Sequence, residues 1–186
     1  MDYVKICFSR FVTANFREKL NMKKIALFVD VQNIFYTVKD KYGCYFNYRR
    51  LLSELKNEGE IVTAKAYAID RGDRKQIRFQ NFLRDSGFNV KLKPYISRAD
   101  GSKKGDWDVG ITIDIMDTVF YNKNNIDCIV LLSGDGDFDL LLRRLNGWPE
   151  LSSIVYAVRE QTARSVIEAA SEFRPICEPL LLKNSL

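Results

Sequence analysis

Strand-like and helix-like segments alternate along the 186 residues, and this predicts an α/β protein: three layers, with a mostly parallel central sheet flanked by helices. Two apolar runs carry the prediction with that alternation. IALFVDV (Ile25 to Val31) is nearly continuous in apolar residues, as suits a strand buried on both faces. CIVLL (Cys128 to Leu132) is a second such run, and it leads straight into the acidic stretch SGDGDFD.

The elements follow in order. After the first strand, Asn33 to Tyr42 and Tyr48 to Asn57 read as helices, with Asn47 placed to cap the second. IVTAKAYAI (Ile61 to Ile69) alternates as a strand does. Arg74 to Ser86 reads as a basic helix that Gly87 ends. FNVKLKPYI is a strand, and Pro94 near its end argues against a central position. Trp107 to Tyr121 is a helix, CIVLL a strand, Asp137 to Leu145 a helix, SIVYAV a last strand and Thr162 to Glu172 a last helix. Residues 1–22 read as an N-terminal extension, 23–177 as one domain and 178–186 as a C-terminal tail.

Composition narrows the chemistry. No apolar run approaches the roughly 20 residues of a membrane span. Histidine is absent, which removes His-based triads, His general bases and most zinc sites. Cys7, Cys44, Cys128 and Cys177 are far apart and form no CxxC pair; they read as reduced, mostly buried thiols of a cytoplasmic protein. Net charge is +5, unevenly spread: residues 1–24 carry +4 and residues 65–104 carry +7. A basic middle beside acidic clusters suits a polyanion, although a solvated surface would give the same count.

The acids carry the functional signal. In open α/β sheets, sites form beyond the carboxyl ends of the strands. Asp30 stands at that end of the first strand and Asp135 just past that end of CIVLL, where Gly134 and Gly136 are expected to let the backbone turn sharply. On a wheel of about 100° per residue, Asp108 points along the apolar arc of Val109, Ile111, Ile113, Ile115, Met116, Val119 and Phe120, in the first turn where the helix dipole favours an anion. Asp114 and Asp117 fall opposite and read as surface acids; Asp106 reads as an N-cap. Asp137 has a simple alternative as the cap of the helix that follows. Asp30, Asp108, Asp135 and Asp137 thus form a candidate all-oxygen cluster, the hard donor set that selects Mg²⁺ or Mn²⁺. An EF-hand reading of DGDFD fails, because its sixth position is Leu140 and its twelfth Asn146.

DVQN (Asp30 to Asn33), KKGDWDV (Lys103 to Val109) and SGDGDF (Ser133 to Phe138), in that order, resemble the three motifs of NYN-domain proteins, closest to the LabA-like branch of the PIN nuclease superfamily. The likeness covers Lys24 to Ile176. The family pattern is usually KG-x-D-V, whereas two residues separate Gly105 from Asp108 here, so Asp106 and Asp108 compete for the family position and the wheel favours Asp108. The family often carries a further acid where Asp114 stands. The resemblance implies a PIN-like fold and metal-dependent hydrolysis of RNA by the Asp cluster with Mg or Mn. Asn33 would orient phosphate or water, or else cap the helix it opens. Ser133 would donate to a phosphate or to Asp135. Lys104, Arg71, Arg74, Lys75 and Arg78 would hold the RNA backbone, and Tyr67, Tyr95 and Trp107 are candidates for base stacking. A homo-oligomer is compatible with this reading. Two other classes stay open: a non-catalytic NYN-type regulator that binds RNA or protein, and a Toprim-like phosphotransfer enzyme suggested by the DGD of Asp135 to Asp137.

Overall fold

Strand β1 (Lys24–Asp30) is apolar at almost every position, and burial follows: from Ile25 to Asp30 each residue is buried. It lies at the centre of a six-stranded sheet of order β4-β3-β1-β7-β8-β9, with β3 (Glu60–Asp70), β4 (Asn89–Pro94), β7 (Cys128–Leu132), β8 (Ser152–Ala157) and β9 (Glu172–Pro175). Every pairing in that sheet is parallel. The computed structural model describes residues 22–70, 72–94, 96–97, 103–104, 106–121 and 125–183.

Alternation along the strands sends side chains to two faces. Ile25, Leu27, Val29, Val130 and Leu132 join one core with helices α1 (Val31–Tyr42), α2 (Tyr48–Glu58) and α3 (Arg74–Asp85). Ala26, Phe28, Ile129 and Leu131 join the other with α4 (Asp108–Tyr121), α5 (Asp139–Leu145) and α6 (Arg164–Ala169). The expected three-layer α/β fold is therefore present. Phe28 and Leu131 pair across the central strands and are fully buried, so truncating either to Ala would cost about 3 kcal/mol or more. A two-stranded ladder of β2 (Tyr45–Phe46) with β10 (Leu181–Leu182), and another of β5 (Ile96–Ser97) with β6 (Lys103–Lys104), stand outside the main sheet.

Several sequence expectations need correction. SIVYAV is not the last strand: the helix expected over Thr162 to Glu172 shortens to Arg164–Ala169, and Glu172 opens β9. Gly134 does not sit at a left-handed turn. Its lack of a side chain serves packing, since a Cβ there would stand 2.8 Å from Thr162 Oγ1 and 3.1 Å from Thr162 Cα. Cys177 is exposed and Cys44 half-buried, so only Cys128 among the described cysteines is a core thiol, and Cys7 lies outside the described residues. Among the described residues no helix is long and apolar enough to cross a membrane.

The chain leaves β1 towards β3 and β4 on one side and places β7, β8 and β9 on the other. The point where the order reverses lies between the carboxyl ends of β1 and β7, where crevices form in such sheets.

Candidate active site at the carboxyl ends of β1 and β7

Asp30 ends β1 and at once caps α1, its Oδ1 accepting from the backbone N–H groups of Gln32 and Asn33, each at 3.1 Å. The helix therefore opens at Val31, not Asn33, and the expectation that Asn33 caps it is corrected. Val29 pairs with Leu132, which brings Asp30 level with Ser133 on the neighbouring strand. The Ser133 hydroxyl donates to Asp30 Oδ2 at 3.4 Å and accepts from the Asp135 backbone N–H at 3.3 Å. Ser133 is fully buried, so its hydroxyl ties two acids together and has no surface to offer a phosphate.

Asn33 closes the same junction from the helix side. Its Oδ1 accepts from the Gly134 backbone N–H at 3.0 Å, locking the first turn of α1 to the loop after β7. In that loop Asp135 caps a short 3-10 helix (Gly136–Phe138) by accepting from the Asp137 N–H at 3.1 Å. Asp137 is exposed within that turn and is not the cap of the following helix, which begins at Asp139.

Asp108 opens α4 and is half-buried. The helix buries Ile111, Ile115, Thr118 and Val119, while Val109, Ile113 and Phe120 are exposed. The buried face is thus turned from the arc expected from apolarity alone, because three apolar side chains stand in solvent; Asp108 lies at the edge of that face. Its electrostatics show what it meets. Burial first, then the negative charges of Asp30, Asp135, Asp106 and Asp137, push its carboxyl up to about 6. Burial likewise raises Asp30 to about 6, helped by the charge of Asp135 and opposed by the hydrogen bonds from Asn33, Gln32 and Ser133. Acids from three separate elements therefore share one field.

Other expected contributors go elsewhere. Asp114 is not a free surface acid: it accepts from the Tyr67 hydroxyl at 2.7 Å and pairs with Lys65 at 3.3 Å. Burial raises it, but Tyr67 and Lys65 outweigh that and hold it below the usual carboxylate range. Tyr67 is fully buried and cannot stack on a base. The Trp107 indole donates to the Ala68 carbonyl at 2.9 Å and lies 5.2 Å from the Tyr67 ring, pinning the start of α4 to β3. Lys93 donates to the Asp106 carbonyl at 2.9 Å. Neither Lys93 nor the Asn33–Gly134 lock carries a sequence signal, since each partner is distant along the chain. Arg74, Lys75 and Arg78 are exposed on α3, which follows the strand paired with β1. Arg71, Tyr95 and the side chain of Lys104 lie outside the described residues.

Among the described residues, no three acidic or cysteine side chains form a ready-made cage for an ion. The donor chemistry nevertheless fits a hard divalent cation. Asp30 is a buried carboxylate facing another acid, and Asp108 is raised by four more, so a cation is the group that would relieve both.

Comparison with known proteins gives the family of the chain. The family model described as "NYN domain" matches residues 24–177. The chain is 32% identical over 130 residues to Low amplitude and bright protein LabA of Synechococcus elongatus, covering 66% of this chain and 67% of that one. It is also similar to the crystal structure of VPA0982, a protein of unknown function from Vibrio parahaemolyticus, with 44% identity, a TM-score of 0.79, and coverage of 87% of this chain and 97% of that one. With a family match from Lys24 into the last strands of the fold, the chain belongs to the NYN domain family.

Proposed function

We propose that this protein is a metal-dependent ribonuclease that hydrolyses RNA phosphodiester bonds with Mg²⁺ or Mn²⁺ held by Asp30, Asp108 and Asp135, with Asp137 beside them. One observation carries the reading. Asp30 at the end of β1 and Asp108 in the first turn of α4 are both raised, by burial first and also by the charge of Asp135 in the loop after β7, at the point where the sheet order reverses. A fold does not keep repelling carboxylates in a half-buried place for its own stability; a cation and its phosphate ligand give them a purpose.

A bound Mg²⁺ or Mn²⁺ would neutralise phosphate charge and make a water acidic enough to attack near neutral pH. The chain supplies the rest. Asp30 is held rigidly by two backbone donors and Ser133. Asn33 fixes the loop that carries Asp135, so the acids of β1 and β7 keep their spacing. Arg74, Lys75 and Arg78, exposed at the start of α3, would bind the phosphates of the strand. No histidine is needed to activate the water, because a bound cation would itself lower the pKa of that water.

The test uses purified parent protein with Asp108→Asn and Asp135→Asn on single-stranded RNA in Mg²⁺ or Mn²⁺. Asn at position 135 can still accept from the Asp137 N–H, so the loop is preserved. The parent should cut, and each variant should lose about 100-fold or more of the rate, the several kcal/mol that a catalytic cation supplies. A parent that leaves RNA intact in either metal would sink the reading; so would cleavage that survives both substitutions.

A further inference from the structure

The expected base-stacking groups are spent on packing: Tyr67 is fully buried and Trp107 is tied to Ala68. Exposed rings occur elsewhere. Among the described residues, the exposed aromatics are Phe35 and Tyr36 on α1 and Phe120 and Tyr121 on α4. The α4 pair stands at the helix end remote from Asp108, roughly 20 Å away at 1.5 Å per residue. The α1 pair stands on the helix that Asp30 caps, five and six residues after it.

Phe35 is 42% exposed and Tyr36 52% exposed, on a helix whose buried face is Val31, Ile34 and Val38. Their rings meet edge to face with centroids 5.3 Å apart, and Tyr45 lies 6.3 Å from Phe35. Lys39, also exposed, holds its ammonium 4.5 Å from the Tyr45 ring centre and donates to the Gly43 carbonyl at 3.1 Å. Tyr36 follows Asn33 by one helical turn, about 4.5 Å along the axis. Asn33 is the residue whose amide oxygen grips the Gly134 N–H beside Asp135. The acids nearby are engaged: Asp40 accepts from the Gln161 amide, and Glu160 pairs with Lys41 at 2.7 Å. Positive charge on the ledge is thus left to Lys39.

We propose that Phe35 and Tyr36, with Tyr45 and Lys39 behind them, form a stacking ledge for the bases of a single-stranded RNA whose backbone passes the Asp30–Asp108–Asp135 site. The reason is chemical. Scattered single aromatics on a surface carry no message, but clustered rings with a cation, one helical turn from the site, match a polyanion with π-faces along it. Phosphates approach the carboxylates, and the bases turn outward onto α1. A duplex hides its base faces and gains nothing from such a ledge. This deepens the ribonuclease reading and rests on it for the identity of the strand.

Binding in EDTA separates the two claims, because it does not require cleavage. Fluorescence anisotropy would follow a labelled single-stranded oligouridylate with the full chain and with F35A, Y36A and the double variant. Each ring should contribute about tenfold in affinity, about 1.4 kcal/mol. F35Y and Y36F should bind as the parent does, and all variants should remain folded at the assay temperature by circular dichroism. An abasic strand of equal length should bind parent and double variant alike. The ledge is overturned if the double variant keeps the parent's affinity for oligouridylate, if base-bearing and abasic strands lose equally, or if the parent does not bind in EDTA. A parent that binds without cutting in Mg²⁺ or Mn²⁺ sinks the nuclease and leaves the ledge standing. A parent that cuts, with variants that bind equally well, does the reverse.

Discussion

Asp30→Asn is the perturbation that the site's electrostatics describe most fully. Asp30 is 7% exposed, and its carboxyl is raised from 3.8 to about 6, chiefly by burial. The sign follows from linkage. Between pH 4 and 6 the folded state binds a proton that the unfolded state has released, so stability falls as pH rises through that window. Above about 6 the ionised group is a liability of about 3 kcal/mol. Asparagine removes the charge and keeps the cap, since its side-chain oxygen can still accept from Gln32 and Asn33. Its amide meets Ser133 where Oδ2 had accepted a hydrogen bond, and that exchange offsets about 1 kcal/mol. The net gain at pH 7 without metal is therefore about 2 kcal/mol, or roughly 4–8 °C for a chain of this size. The assay is thermal unfolding in EDTA at pH 5, 6, 7 and 8. The parent should gain stability towards pH 5, the variant should show a flatter profile, and the two should approach each other at the acid end. Excess Mg²⁺ at pH 7 should then raise the parent's midpoint and not the variant's. A variant less stable than the parent at pH 7, or parallel pH profiles, would refute the argument.

Three further outcomes follow from particular side chains. Charge reversal at Arg74, Lys75 and Arg78 should weaken RNA binding and reduce the slope of log affinity against log salt by up to about 2, at about 0.7 for each phosphate no longer neutralised; an unchanged slope in a salt titration would move the binding face elsewhere. Gly134→Ala should cost about 1–3 kcal/mol in urea unfolding, because the added methyl meets Thr162 backbone at 3.1 Å as well as its hydroxyl; equal stability would mean the loop gives way easily. Asn33→Ala removes the acceptor for the Gly134 N–H and should cost about 1 kcal/mol, with cleavage falling more than RNA affinity; a loss confined to affinity would make Asn33 a substrate ligand and not a positioning residue.

Much of this protein was legible before folding. IALFVDV and CIVLL read as strands buried on both faces, as they are, while their parallel pairing with each other at the centre of the sheet is seen only in the fold. Asp30 and Asp135 were readable as strand-exit acids, because a strand's end and the polar residue after it are adjacent in sequence. The local pattern failed where partners are remote. The wheel put Val109, Ile113 and Phe120 on the inner face of α4, and only packing against the sheet shows them in solvent and Asp108 at the rim. Asp114 looked like a surface acid until β3 brought Lys65 and Tyr67 to it. Gly134 suggested a sharp turn, and its reason is Thr162, which arrives from the far side of β8. Aromatic residues in the basic middle suggested stacking, whereas Tyr67 is buried and exposed rings stand on α1, the helix that Asp30 caps. Residue type and spacing determine which chemistry a chain can hold. Which of those side chains meet depends on pairings about a hundred residues apart, and those exist only once the sheet has closed its order.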